Sequence, residues 1–185
     1  MVMITSTTFG WGDTERVQMQ RAFWCSFVAA GGVYLLMLFW SLPVISASAG
    51  GLVPFDMRPT GYSVQDARQF LAALSEEGRD FYLSVQLRLD LLYPALLGMM
   101  LVIGFQRVFG TPWSTVFSVV ALIMVSADYL ENYMISIMLH GGASGINDSV
   151  VALASFWTTC KSVSATVAFC ALLLGAMGKA RRRWV

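Results

Sequence analysis

The sequence has few charged side chains. They make up 12% of its 185 residues, whereas hydrophobic side chains make up 57%. A typical soluble domain has about 25% charged residues, so the composition excludes that class and predicts an integral membrane protein. The formal net charge is only +1. Without a basic patch interleaved with aromatic residues, we expect no nucleic acid partner.

Histidine and cysteine are also scarce. The single histidine is His140, and the three cysteines (Cys25, Cys160 and Cys170) lie in apolar runs without CxxC spacing. These counts predict neither a zinc site nor a disulfide framework, and one histidine excludes a two-histidine haem site within one chain. We expect no metal and no cofactor. The G-x-S-x-G, Walker and H-E-x-x-H motifs are absent as well, so no motif indicates whether the protein is an enzyme.

What the sequence does contain is four long apolar segments, at about 22–46, 87–106, 113–139 and 150–177. Each can cross roughly 30 Å of hydrocarbon as a helix. The sequence therefore predicts an all-α membrane protein, a four-transmembrane-helix bundle forming one domain over residues 1–185. The first segment precedes "SASAGG", which has the pattern of a cleavage site, but it is longer than the about 7–15 apolar residues of a signal peptide. We interpret it as a retained span.

Basic residues near the ends of the spans predict the orientation. One side of a four-span topology collects Arg16, Arg21, Arg107, Lys179, Arg181, Arg182 and Arg183. By the positive-inside rule, both termini are predicted to be cytoplasmic, in a multi-pass protein of the cell's inner (plasma) membrane. The first loop, 47–86, carries Arg58, Arg68 and Arg79 on the opposite side, mixed with acidic residues, which is modest evidence against this orientation.

The same loop, which this orientation makes extracytoplasmic, contains a helix signal. Ser63 followed by Asp66 has the spacing of a capping box, and apolar residues then recur at helical intervals. This pattern predicts an amphipathic helix over about 64–77 on the outer membrane surface, with Gly78 as its C-terminal cap. Such a helix would either simply cover the mouth of the bundle or act as a lid over a site.

Polar residues continue from this loop into the second span. Arg79, Tyr82, Gln86, Asp90 and Tyr93 occur at spacings that place them close to one helical face. Pro94 then removes the backbone hydrogen bond to the carbonyl of Asp90, which predicts a kink or a hydrated carbonyl there. A polar stripe is therefore expected to descend from the outer surface into the membrane.

The third and fourth spans hold charged residues at membrane depth. Asp128, Glu131 and Asn132 share one helical face, and Lys161 lies at a depth similar to that of Asp128. Because buried charge is costly in a membrane, we expect these groups to face the bundle interior, with Asp128 paired to Lys161 and Glu131 without a cation. The face that carries Lys161 also carries Trp157, Thr158 and Ser164. They predict a polar cavity that opens towards the outer leaflet.

Several functions fit such a site. Asp128 and Glu131 could act as base and acid on a small lipid-like molecule, with Lys161 as electrostatic partner. Ligand positioning would fall to Asn132, Asp90, Tyr93, Arg79, Tyr82 and Gln86. The alternatives are that the charges only hold helices together, that the chain is an accessory subunit of a larger membrane complex, or that it is a proton-coupled transporter acting as a dimer. The expected partners are membrane lipids and either a second copy or such a complex.

Four motifs in chain order resemble a group of small four-span bacterial membrane proteins of uncharacterised function. The motifs are "FDMRPTGYS", "EEGRDFYLSVQLRLDLLYP", "ADYLEN" and a lysine in the last span. They span about residues 55–161. The resemblance draws attention to Arg58, Gly61, Tyr62, Gly78, Arg79, Tyr82, Asp90, Pro94, Asp128, Glu131, Asn132 and Lys161. It implies four spans and carries no activity.

Overall fold

The protein is an all-α bundle of four membrane spans. A computed structural model describes residues 12–181, apart from the side chain of Asp13. The spans are Thr14–Ser48, Glu76–Val108, Trp113–Gly145 and Asp148–Arg181. Arg182 and Arg183, which contributed to the predicted orientation, lie outside the described residues. All four helices extend beyond the predicted apolar segments.

The surface of the bundle is apolar, as expected for a lipid solvent. In the most apolar window of the fourth span only 11% of the residues are buried. Large side chains point outwards, among them Phe39, which is 76% exposed, and Leu174, which is 67% exposed. A bundle in water would turn such side chains inwards. The chain is therefore a multi-pass membrane protein.

The first two spans are each interrupted by one π-helical turn. The first span consists of α1 (Asp13–Leu36), a π turn (Met37–Ser41) and α2 (Leu42–Ser48). The second consists of α4 (Glu76–Phe81), a π turn (Tyr82–Gln86) and α5 (Leu87–Val108). Each π turn inserts a residue into the helical repeat and so shifts which side chains share a face.

The third and fourth spans are single long helices. The third is α6 (Trp113–Gly145), with a non-helical residue at Gly142, and the fourth is α7 (Asp148–Arg181). Sequential helices pack as antiparallel neighbours, and α5 also contacts α7 diagonally. Both described ends of the chain lie at one end of the bundle, the termini face. The first loop and the α6–α7 connection lie at the opposite end, the loop face.

The predicted amphipathic helix is present but shorter than expected. It is α3 (Val64–Ala73), and its capping box is formed by Ser63 and Asp66 as predicted. The prediction that Gly78 ends it is wrong, because the chain becomes extended at Leu74 and Ser75 begins a new helix. The hydroxyl of Ser75 accepts a hydrogen bond from the Gly78 amide at 3.1 Å. Gly78 is thus an inner residue of α4.

Two apolar cores fill the bundle. The loop-side core is built around Phe55, Phe70, Tyr82, Ile135 and Leu139, all 0% exposed. The termini-side core is built around Leu97, Leu101, Phe105, Ala121 and Met124. A set of polar side chains separates the two cores along the bundle axis. That set is the candidate functional site.

Candidate functional site

Polar residues from all four spans meet between the two cores. We call them the polar layer, and they are Ser41, Gln86, Asp90, Asp128, Glu131, Asn132, Thr158 and Lys161. Glu131 is 0% exposed, and Asp90 and Asp128 are each 6% exposed. Buried polar groups are retained in a membrane only where they have partners.

Lys161 holds together the part of the layer on α6 and α7. Its ammonium Nζ lies 3.7 Å from Oδ1 of Asp128 and in closer contact with Oε2 of Glu131. The other oxygen of Glu131, Oε1, accepts a hydrogen bond of 2.6 Å from the hydroxyl of Thr158. The predicted pairing of Asp128 with Lys161 is present. The expectation that Glu131 has no cation is wrong.

Helix geometry explains why Lys161 also reaches Glu131. Side chains lean towards the N-terminus of their helix. Because α6 and α7 are antiparallel, Lys161 leans towards the loop face while the α6 carboxylates lean away from it. In addition, α6 extends to Gly145 and α7 starts at Asp148. Measured from these observed ends, Glu131 rather than Asp128 is level with Lys161.

Asp90 is the one carboxyl group of the polar layer that has no cation among the described residues. It forms no ion pair with any residue that the structure describes. Its Oδ2 accepts a hydrogen bond of 2.9 Å from the amide Nε2 of Gln86. Oε1 of that amide accepts one of 2.5 Å from the hydroxyl of Ser41 on the first span. The carboxyl group of Asp90 is thus held by one neutral donor, the amide of Gln86. It lies next to the group formed by Asp128, Lys161 and Glu131.

The backbone carbonyl of Asp90 has a side-chain donor. Pro94, which has no N–H, leaves this carbonyl without its helical partner, as the sequence predicted. Nδ2 of Asn132 donates to it at 3.3 Å and also to Oδ1 of Asp128 at 3.2 Å. The next carbonyl along the chain, that of Leu91, accepts a hydrogen bond of 3.0 Å from the hydroxyl of Tyr129. Asn132 therefore connects the Asp90 side of the layer to the Asp128 side.

The two π turns bring the first and second spans together at the layer. They contact each other, and the hydrogen bond between Ser41 and Gln86 joins the last residue of one to the last residue of the other. Nε2 of Gln86 also lies 3.4 Å from the sulfur of Met37, the first residue of the other π turn. Such turns often occur at functional sites, since they redirect individual side chains without ending the helix.

The predicted polar stripe on the second span is divided by the π turn. Gln86 and Asp90 belong to the polar layer. Tyr82 belongs to the loop-side core, and its hydroxyl donates a hydrogen bond to the carboxylate of Asp56. Arg79 lies at the loop face, with its guanidinium beside Gly142. Tyr93 stacks on Tyr34 of α1 at a centroid distance of 5.8 Å. Arg79, Tyr82 and Tyr93 therefore surround the layer without joining it.

The first loop covers the layer on the loop side. The amide of Tyr62 donates to the Ser155 hydroxyl of α7 at 2.8 Å. Gly61 allows this close approach, because a Cβ there would lie 2.5 Å from the same hydroxyl, and its φ is +84°. Burial, together with the neighbouring carboxylates of Glu131 and Asp56, raises the pKa of the Tyr62 hydroxyl. Tyr62 is therefore a neutral phenol above Glu131.

An aromatic cluster completes the cover. Phe55 packs against Tyr62 and Phe70, with centroid distances of 4.9 and 4.7 Å, and the guanidinium of Arg58 lies 5.8–6.0 Å from all three rings. The polar layer is thus covered from the loop face. Lys161, whose side chain is 17% exposed, is its most accessible ionisable group. The predicted role of α3 as a plain cover or a lid remains a prediction.

Two functional contacts were missed from the sequence. Ser41 was a lone hydroxyl within "LFWSLP", and Asp56 was one acidic residue among several in the first loop. The available signals were a serine two residues before a proline in an apolar run, and an acidic residue between Phe55 and Met57. Neither has a periodic partner in its own segment, because both bind side chains of the second span.

Comparison with protein-family models, with curated proteins and with solved structures finds no match for the chain.

Proposed function

We propose that the polar layer is an intramembrane acid/base centre that binds a small lipid-like molecule and acts on it by proton transfer. The proposal rests on one observation, the imbalance of charge within the layer. Three carboxyl groups (Asp90, Asp128 and Glu131) share a single ammonium, that of Lys161. Ionising all three between two apolar cores would leave uncompensated buried charge, which costs several kcal/mol per ion. At least one exchangeable proton is therefore expected in the layer.

The contacts suggest which residue has which role. The ammonium of Lys161 favours the ionised forms of Asp128 and Glu131, which makes these two the candidate bases. Asp90 has only the amide of Gln86 as its side-chain donor, so it is the candidate acid. Asn132 connects the backbone of Asp90 to the carboxylate of Asp128, and Gln86 fixes the orientation of the Asp90 carboxyl group. Arg79, Tyr82 and Tyr93 would position a ligand only if it extended from the layer towards the loop face or α1.

The location of the layer defines the class of ligand. The layer lies between apolar cores and beneath an aromatic cover, so a molecule that reaches it must partition into the membrane. A reaction catalysed by proton transfer matches a centre made of acids, bases and amides. Examples are an isomerisation, or a dehydration in which a base removes a proton from carbon while an acid protonates the hydroxyl group, which leaves as water as its C–O bond breaks.

The expected protonated carboxyl group of the layer is tested by infrared spectroscopy on protein reconstituted in liposomes. We expect a carboxylic acid C=O band near neutral pH that Asp90→Asn removes or shifts. The matched control is Asp80→Asn, which changes an exposed carboxylate on the same span and should leave the band unchanged. A spectrum without any protonated carboxyl group would overturn the proposal.

The reaction is tested by comparing lipid extracts. Cells producing the wild-type chain and cells producing Glu131→Gln should differ by mass spectrometry in at least one amphiphile, as a change in mass or in isomer. Asp80→Asn should behave as the wild type. Identical extracts from all three strains, at equal protein levels in the membrane, would exclude action on a membrane lipid.

A proton-coupled carrier is the second candidate, because polar contacts connect all four spans through the layer. The chain of polar contacts runs from Ser41 through Gln86, Asp90, Asn132 and Asp128 to Lys161. Its link between Asp90 and Asn132 is made through the backbone carbonyl of Asp90. A trapped pH-sensitive dye would report proton movement across liposomes under an imposed potential. Proton flux that is lost in Glu131→Gln, together with unchanged lipid extracts, would favour the carrier.

A further inference from the structure

A groove at the termini face is separate from the polar layer. It lies between α1 and α7, both of which pack on α5, and has a volume of about 690 Å³. Its apolar wall includes Phe23 of α1 and Leu172 and Leu173 of α7. Gly104 of α5 forms the floor, where a Cβ would lie 2.9 Å from Leu172 and 3.2 Å from Phe23.

A second cavity continues the seam between α1 and α7 towards the membrane interior. It has a volume of about 350 Å³ and is lined by Phe27, Gly31 and Tyr34 of α1, Tyr93 of α5 and Phe169 of α7. Gly31 has no atom within 4 Å of its Cβ position. The seam between α1 and α7 is therefore an apolar channel of the kind that holds an acyl chain.

The rim of the groove at the termini face is basic. Arg107 and Lys179 line the groove itself, and Arg16 joins them in an adjoining cavity of about 440 Å³ with Gln20 and Gln106. Among the described residues that line these two cavities, every ionisable side chain is a cation. Positive charge at one end of an apolar groove complements a molecule with an anionic head and a hydrocarbon tail.

Arg107 is held in place with donor capacity to spare. Its guanidinium lies 5.2 Å from the ring centroid of Phe23, and its backbone carbonyl accepts a hydrogen bond from the ammonium of Lys179. The guanidinium nitrogen Nη1 of Arg107 is buried without a hydrogen-bond partner among the described residues. A phosphate oxygen is the acceptor that a guanidinium binds best.

We infer that the groove binds an anionic phospholipid of the leaflet at the termini face. Its phosphate would contact Arg107, Lys179 and Arg16, and one acyl chain would follow the seam between α1 and α7 past Phe23. The site lies apart from the acid/base centre, because no residue that lines the groove belongs to the polar layer.

Native mass spectrometry of the delipidated full chain tests the inference. The two probes are phosphatidylglycerol and phosphatidylcholine with identical acyl chains. We expect tighter binding of phosphatidylglycerol and an about fivefold loss of its affinity in Arg107→Gln, the effect of about one cation at a lipid surface. The matched control is Arg88→Gln, which changes an exposed arginine near the other end of α5. Equal binding of both lipids, or equal losses in both variants, would overturn the inference.

A second pair of variants tests the apolar part and does not depend on Arg107. Ala176 lines the groove, whereas its neighbour Met177 is 68% exposed and does not. Ala176→Trp should fill the groove and reduce phosphatidylglycerol binding, and Met177→Trp should not. Soluble glycerol phosphate should compete weakly, because it lacks the chain. Competition as strong as that of the lipid would indicate a phosphate site and contradict the inference.

Discussion

At the loop face the chain closes over the bundle, whereas at the termini face α1 and α7 separate and leave a groove. The difference follows from the connections. Residues 49–75 supply α3 and an aromatic cluster that cover the loop face, and Arg68 of α3 forms an ion pair with Asp148 at the start of α7. At the termini face the α5–α6 connection is only Phe109–Pro112. Among residues 12–181, the bundle is therefore sealed at the loop face and open at the termini face.

The comparison also suggests a division of roles. The sealed end lies above the polar layer and separates its carboxyl groups from water, which strengthens their electrostatic interactions. The open end exposes cations and an apolar groove to the lipid. Four variants or pairs of variants test this difference between the two ends.

The largest effect is expected at the boundary between the two ends. Lys161→Met removes the ammonium from beside Asp128 and Glu131, so both carboxyl groups lose their cation. Breaking a buried pair in this way costs about 3–5 kcal/mol. Unfolding in mixed micelles would measure the loss, and hydrogen exchange should show it at both ends. Adding Glu131→Gln should recover part of the stability. A loss below about 1 kcal/mol would contradict the buried pairing.

The next largest loss in the free energy of unfolding is expected when a phenylalanine of the loop-side core is replaced, and it is compared with a phenylalanine beside the cavity. Phe70 is 0% exposed in the loop-side core, whereas Phe27 is 48% exposed and lines the cavity between α1 and α7. Phe70→Ala should cost about 3 kcal/mol through lost contacts and a cavity, and Phe27→Ala less than about 1 kcal/mol. The same unfolding measurement applies to both. Similar losses would show that the two ends are packed alike.

A smaller effect is expected from two glycines. A Cβ at Gly78 would lie 2.4 Å from the Cβ of Ser48, whereas one at Gly31 has open space. Gly78→Ala should cost about 1–3 kcal/mol, because the second span must move away from the first. Gly31→Ala should be neutral or slightly stabilising, since alanine favours the helix. Midpoints of thermal unfolding would compare the two, and a reversed order would exclude tight packing at Gly78.

The smallest effect concerns pH at the loop face. Hydrogen bonds from the Ser63 hydroxyl and amide lower the pKa of Asp66 below its usual value of 3.8. Because the folded pKa is the lower one, the stabilisation of α3 is complete above about pH 4 and lost as pH falls through the folded value. Hydrogen exchange of α3 should therefore rise in acid. Asp66→Asn should lack this dependence, and an unchanged acid response in that variant would place its origin elsewhere.

Much of the fold was predictable because its causes are local. Four apolar segments identified four spans, and Ser63 with Asp66 identified the start of α3. The release of the Asp90 carbonyl followed from Pro94 alone. The helical spacing of Asp128, Glu131 and Asn132 put them on one face, and all three lie in the polar layer.

The remaining features depended on contacts between segments. No local pattern indicated the π turns, the binding of Ser41 to Gln86, or the groove between α1 and α7. Counting residues from the ends of the spans paired Lys161 with Asp128 but missed its contact with Glu131, because the count compared Cα positions and ignored the lean of side chains on antiparallel helices.

Hydropathy and helical spacing are properties of each segment alone, so the sequence was enough to identify a four-span membrane protein with carboxyl groups and a lysine at membrane depth. The assembled bundle was needed to show that Lys161 pairs with both Asp128 and Glu131, and that Asp90 is the carboxyl group of the polar layer that forms no ion pair with a described residue. The reason is physical: partners are chosen by the lean, length and packing of side chains from different helices, and these exist only once the helices are assembled.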